Sequence, residues 1–307
     1  MRAARLFYLI ALLAALAIPV SGIYPVFMMK LLCFAIFACA FNLLLGFSGM
    51  LSFGHAAFFG TAAYVTGWLV TAHDWGPLAA LAGGSIAAGL LGLVIGALAI
   101  RRQGIYFAMV TLALAQLVYF VCLEAPFTGG ENGLQGVARG TLLWIVPLKS
   151  DVAMYYLVLA AFIGVFWLIR RIVHSPFGQV MKAIRENEQR AISLGYDIKH
   201  YKLVAFVLSA FLSGLGGSLK TLVLGFTTLS DVLQANSGEV ILMTLLGGMG
   251  TFFGPVVGAG LVVTLQEYLS DIVGGWVTVI IGVIFVTCVL AFRRGIVGEV
   301  AARYRGR

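Results

Sequence analysis

Leu78-Ala-Ala-Leu-Ala-Gly-Gly-Ser-Ile-Ala-Ala-Gly-Leu-Leu-Gly-Leu-Val-Ile-Gly-Ala-Leu-Ala99 contains no charged side chain. About 20 consecutive apolar residues are enough for a helix to cross the hydrocarbon core of a bilayer. A membrane β-strand would instead alternate over about 10 residues. This run is apolar without interruption and rich in Leu, Ala and Gly, so it reads as a transmembrane helix. Its glycines, Gly83, Gly84, Gly89, Gly92 and Gly96, read as small-residue packing positions. In lipid, helices associate by close backbone approach because no hydrophobic drive is left to bring them together.

Comparable runs lie at about 6–20, 26–45, 56–73, 105–123, 152–169, 203–224, 238–248, 254–270 and 276–291. The whole chain is 61% hydrophobic and only 10% charged, with a mean hydropathy of +1.03. A water-soluble domain carries about 25% charged residues, so a soluble fold is excluded. The 238–248 run is too short to cross upright. The expected fold is an all-α polytopic transmembrane helical bundle of about 8–10 spans, with broken or re-entrant Gly-rich segments. A single transmembrane domain over 1–307 is expected. The first run, preceded by Arg2 and Arg5, also has the form of a signal peptide. The small-residue cleavage pattern near Ser21–Gly22 is poor, which favours retention.

The net charge is +8, and sixteen of the 20 basic residues fall in four clusters. These are Arg2 with Arg5, Arg101 with Arg102, the stretch 170–202, and the tail from Arg293 to Arg307. Excess Lys and Arg marks cytoplasmic loops. Alternation of the runs places both termini and 170–202 in the cytosol and 124–150 outside. The charge is therefore a topology signal and not a nucleic-acid footprint. Cys33, Cys39, Cys122 and Cys288 all sit inside apolar runs, without CxxC or metal-ligand spacing, and read as small core residues.

Two glycine clusters interrupt apolar stretches: Gly46-Phe-Ser-Gly-Met-Leu-Ser-Phe-Gly54 and Gly247-Gly-Met-Gly-Thr-Phe-Phe-Gly-Pro255. Both run Gly-Met, then Ser/Thr-Phe, then Gly. Gly/Pro-interrupted segments of this kind point to a substrate site built from broken helices.

The stretch from His174 to Asp197 reads as an amphipathic helix. Ser175-Pro176 supplies a capping hydroxyl and a proline at the first helical position, and Gly195 supplies a stop. Phe177, Val180, Met181, Ile184 and Ala191 fall on one face. Lys182, Arg185, Glu186, Gln189, Arg190 and Ser193 fall on the other, with Glu186 and Arg190 at the spacing of a helical ion pair. Asn187 and Glu188 interrupt the apolar stripe, so either the helix bends there or that face meets a polar partner. Lipid contact would not tolerate them.

Ala183-Ile-Arg-Glu-Asn-Glu188, Leu194-Gly195 and Tyr201-Lys-Leu-Val-Ala-Phe-Val-Leu-Ser-Ala210 resemble the LivM-type permease of branched-chain amino acid ABC importers. Asn42 to Gly49, Ser52 to Gly60, Gly104 to Leu112, Thr128 to Leu134, Gly247 to Pro255 and Arg293 to Gly298 extend the resemblance in the same order. It implies a multi-pass subunit of a bacterial inner (plasma) membrane that translocates branched-chain amino acids or a related small solute. The implied partners are a second related permease subunit in a heterodimer, two cytosolic ABC ATPases and a periplasmic solute-binding protein. The 174–202 loop would then be a coupling element, a degenerate relative of the EAA loop. Its expected ATPase-coupling residues are Arg185, Glu186, Asn187, Glu188 and Gly195. The general EAA signature has Gly six residues after its Glu, whereas Gly195 follows Glu188 by seven. Lys220, after Gly-Gly-Ser-Leu, stands where the family commonly has a small, apolar or aromatic residue. The connection 225–236 lacks a proline often found there. Both departures bear on the substrate, and related permeases serve urea, amides or aromatic acids.

No GxxxxGK[ST], GxSxG, SxxK or HExxH occurs, so no P-loop or catalytic motif supports an enzyme. No catalytic residue, cofactor or metal is expected, and ATP hydrolysis would belong to a partner. Translocation-pathway candidates are Asn42, Ser48, Ser52, His55, Gln116 and Glu239, with Thr111 and Thr244 as further intramembrane polar groups. His55 also reads as a hydrogen-bonded structural histidine, and Glu239 as a helix-start carboxylate favoured by the dipole. Lys220 and Glu267 are expected to reach the membrane interface from near span ends. An ion-gradient-driven secondary transporter is the competing reading of the broken segments.

Overall fold

The computed structural model describes residues 24–142, 146–148, 150–291 and 295–299. The first apolar run and the basic residues at 2, 5, 293, 294, 303, 305 and 307 lie outside the described residues. The described chain is a helical bundle with four very short strands, as the composition predicts.

Helix α1 (Pro25–Asn42) starts on a proline and runs into a π-helical turn, Leu43–Phe47, after which the chain has no regular structure from Gly49 to Gly54. Helix α2 (His55–His73) follows and closes on Asp74 in the left-handed conformation (φ 50°). Next come α3 (Pro77–Ala99), α4 (Ile105–Glu124) and α5 (Asp151–His174), the last capped by the Ser150 hydroxyl. Two short helices, α6 (Pro176–Glu186) and α7 (Glu188–Ser193), lead to α8 (Ile198–Leu224). The chain continues with α9 (Gln234–Gly247), α10 (Gly254–Val273) and α11 (Val277–Ala291). Strand β1 (Leu134–Gln135) pairs antiparallel with β4 (Phe226–Thr227), tying the α4–α5 connection to the chain leaving α8. Strands β2 (Thr141–Leu142) and β3 (Val146–Pro147) form a hairpin within that same connection.

Helix α8 is the hub, packed by α1, α2 and α3. The glycines make this possible. A Cβ on Gly217 would lie 2.0 Å from the Phe59 carbonyl oxygen of α2, and one on Gly92 would lie 2.4 Å from the Ala210 Cβ. No side chain fits either gap, so backbones meet where a larger residue would hold them apart.

Among the described residues five helices are long and apolar enough to cross a membrane: α1 with its π-turn, α3, α4, α5 and α8. The most apolar stretch of α1 is 72% buried and that of α4 only 28%. The first is therefore core, and the second turns an apolar face outward. Helix α9 has 14 residues, about 21 Å at the usual rise and short of the hydrocarbon thickness. It is a half-helix, as the 238–248 run predicted.

Two expectations fail here. Lys220 does not reach an interface: it is buried and donates to Asp231 Oδ1, itself 2% exposed. Glu239 does not sit at a helix start, because α9 begins at Gln234 and places Glu239 in its second turn. Glu267 is half exposed and pairs with Lys30 at 2.7 Å.

A candidate coupling and translocation site

The two glycine clusters lie far apart in sequence and meet in space. Asn42, at the last position of α1, joins them. Its Nδ2 donates to the Thr251 carbonyl and its Oδ1 accepts from the Gly250 N–H, both at 2.9 Å. A side-chain amide has the donor and acceptor needed to satisfy both backbone groups at once. Gly250 takes φ +73° and Gly248 φ +120°, conformations open to glycine at no steric cost. Gly295 packs so tightly on Gly248 that a Cβ would lie 2.4 Å from its Cα.

Helix α6 lies across this junction. The Arg185 guanidinium donates to the Gly46 carbonyl. Its aliphatic stem passes 3.0 Å from where a Cβ on Gly49 (φ +73°) would sit, and its Nη1 is 3.4 Å from that position on Gly250. Phe47 and Phe252 add a ring contact at 5.5 Å, with Lys182 above Phe47 at 6.0 Å. One arginine therefore reads both breaks.

The flaw in the amphipathic stripe is a helix break. Asn187 is extended (φ −157°, ψ 100°), and its Oδ1 accepts the Arg190 N–H at 3.0 Å, which caps α7. A capping Asn offers the backbone a bond that a continuous helix would not need. The expected Glu186–Arg190 pair across a continuous helix does not form among the described residues, since the two residues belong to different helices. Glu188 instead turns inward, accepting from Lys202 and from Gln103, each at 2.8 Å. Ser175 caps α6, and Gly195 (φ +84°) ends α7, as their residue types predict. Ile184, Ala191 and Ile198 form a small core of their own with Val180 and Tyr201. The loop is thus a packed unit and not a loose amphipathic strip.

Residues 26–289 match the family described as the permease component of the branched-chain amino acid transport system. The chain belongs to this family of ABC transporter permeases. It is 28% identical over 261 residues to the high-affinity branched-chain amino acid transport system permease protein LivM of Escherichia coli K12, covering 78% of this chain and 61% of that protein. It is 27% identical over 198 residues to a probable LivM of Methanocaldococcus jannaschii, covering 61% and 55%. An L-arabinose ABC transporter permease protein, AraH of Azospirillum brasilense, is 26% identical over 200 residues, covering 62% and 56%. The chain spans about three-fifths of the length of the curated relatives it matches. No solved structure matches it.

In this permease most of the polar residues singled out by sequence gather at the first break. His55 Nε2 lies 2.9 Å from Ser209 Oγ near the middle of α8, and Ser209 donates to the Ala40 carbonyl at 2.6 Å. The ring is wedged edge-on among Phe41, Phe58 and Phe206. Helix α2 therefore starts part-way along α8. Its Ala56 N–H, free at a helix start, donates to Ser237 Oγ of α9 at 2.9 Å. Ser52 accepts the Gly54 N–H and Thr111 the Phe53 N–H, both at 3.2 Å, while Ser48 donates to the Leu44 carbonyl. These groups satisfy backbone freed by the break. Thr244 bonds back to Val240 within α9. Gln116 lies apart on the outward side of α4, and Glu239 lies beside Gln266 of α10. Ser209 and Ser237 belong to this network and Asp231 pairs with Lys220 outside it; none of the three was among the expected residues. Only Asp231 carried a signal, as an acid in a chain with 12.

Asn42→Leu removes a side chain that is 2% exposed and leaves the half-buried Gly250 N–H and Thr251 carbonyl unpaired. The expected loss is about 2–6 kcal/mol at 1–3 per orphaned group. Thermal unfolding in detergent, followed with a thiol-reactive dye on the buried Cys33 and Cys39, measures it. An unchanged midpoint would remove the bridge from the account.

Proposed function

We propose that this chain is the membrane-spanning subunit of an ATP-driven importer for branched-chain amino acids or a related small solute. Its partners are a second related permease, two cytosolic ATPases and a periplasmic binding protein. It works in a bacterial inner membrane with both termini and the 174–202 loop in the cytosol, as one permease domain over 1–307. The LivM relatives favour a branched-chain amino acid as solute. The arabinose permease among the relatives is the reason for keeping a related small solute in the proposal.

The observation that carries this reading is the contact of Arg185 with both glycine breaks. Helices α6 and α7 do not cross the bundle, yet Arg185 of α6 is bonded to the first interruption at Gly46 and lies against the second at Gly250. A push on the loop is a push on Gly46 and Gly250. Glycine is the residue that yields there at least cost. Helix α9, between Gly225 (φ +76°) and Gly248, would carry the displacement to the Lys220–Asp231 end of the bundle. Gated access through hinged rigid elements is the expected mode.

The coupling residues then divide into two groups. Arg185, Asn187, Glu188 and Gly195 shape and anchor the loop through their bonds and backbone turns. The face left for an ATPase holds Glu186, Gln189 and Arg190, with Ile192 at 52% and Leu194 at 69% exposure. A photo-crosslinking residue placed at Ile192 should capture the ATPase subunit in native membranes, and one at the buried Ala191 should not. Absence of the adduct at Ile192 in an intact complex contradicts this assignment.

A further inference from the structure

Between α3 and α4 the loop 100–104 carries Arg101 and Arg102, both exposed. Each borders a cleft. On one side a cleft of about 680 Å³ is lined by Arg102, Arg185, Lys202 and Glu188 together with the start of α4. Glu188 is already taken by Lys202 and Gln103, so the remaining fixed charge is positive. On the other side a cleft of about 660 Å³ holds Arg101, Lys199 and His200 against Asp197. Among the described residues Arg101, Arg102 and Arg185 have no carboxylate partner.

Directly beyond the loop, α4 turns apolar side chains outward. Ile105 is 72% and Tyr106 68% exposed, and Met109, Leu117 and Phe120 continue the same outward side. Set in a bilayer, this face would meet acyl chains and the loop beyond it would lie at headgroup level. A free anion would use the charges and leave the apolar face unexplained. An anionic lipid uses both.

We propose that the loop 100–104 and its two clefts form a binding site for the phosphate headgroup of an anionic phospholipid, its acyl chains lying along α4. Basic pockets between transmembrane helices recognise such headgroups by charge within a Debye length. The site shares Arg185, Glu188 and Lys202 with the coupling loop, so a bound lipid would stiffen the same anchors. The site itself requires only the membrane location, and it stands or falls separately from ATP coupling.

Native mass spectrometry of the full chain in detergent, with phosphatidylglycerol or phosphatidylcholine of identical acyl chains, tests this. Phosphatidylglycerol adducts should be retained at least tenfold better. The exposed pair Arg101→Gln with Arg102→Gln should erase that preference while leaving the melting midpoint unchanged. Equal retention of the two lipids overturns the proposal, as does a preference that survives the double substitution. Displacement of the lipid by millimolar inorganic phosphate also overturns it, in favour of a small-anion site.

Discussion

Lys220→Met alone is expected to destabilise the permease by about 3–5 kcal/mol, and adding Asp231→Asn is expected to recover most of that loss. The ammonium and the carboxylate are 10% and 2% exposed as side chains and pair with each other. Removing one partner strands a charge where water cannot reach it, which is the costly case for buried pairs. Removing both charges abolishes the stranded ion. The amide oxygen introduced by Asp231→Asn would still accept the Thr228 N–H that Asp231 Oδ2 accepts at 3.3 Å, so the local turn would keep its cap. The pair also ties the segment after α8 to α8 itself, a tie shared by the Thr221–Thr227 hydroxyls at 2.7 Å, while Val232 packs the same segment on Gly60 of α2. A dye-based melt of the two single variants and the double variant measures the coupling. Equal midpoints for the single and double variants would mean that the two charges do not depend on each other.

The second large effect is on transport. Arg185→Glu places a carboxylate against the Gly46 carbonyl, two acceptors facing each other, and removes the guanidinium that joins the breaks. Uptake is expected to fall at least about a hundredfold, roughly the size of a lost charge-assisted contact of 1.5–3 kcal/mol followed by repulsion. The protein should still insert, since the bundle packs around α8. Arg185→Lys should retain partial uptake, because an ammonium donates to one acceptor but lacks the planar fork. Measuring labelled leucine uptake against the amount of inserted protein separates the two outcomes. Full uptake by Arg185→Glu would show that the contact with Gly46 transmits nothing.

Much of this architecture follows from local chemistry. The apolar run Leu78–Ala99 becomes α3, the glycines of 214–217 become close contacts, and Ser175, Pro176 and Gly195 do at a helix start and stop what their types dictate. The shortness of 238–248 was visible as a half-helix for the same reason. What escaped sequence reading depends on distant partners. Asn42 could be seen as an intramembrane amide, but not as the bridge to Gly250 and Thr251, 208 and 209 residues away. Lys220 looked like an interfacial lysine because it lies near the end of the 203–224 run, and only the chain reversal after Leu224 returns Asp231 to it. Asn187 and Glu188 were legible as a flaw in the stripe. Whether that flaw was a bend or a binding face depended on whether Asn187 found the Arg190 N–H. Glu239 was misplaced because α9 begins several residues before the Ser-Gly pair that resembled its start.

The most direct test is solute uptake by the purified chain in proteoliposomes, with and without its co-purified ATPase partners, under ATP or under an imposed ion gradient. Uptake should require the ATPase partners and ATP, and it should persist when an ionophore collapses the gradient. Accumulation by this chain alone, driven by a gradient without ATP and abolished by the ionophore, would contradict the account.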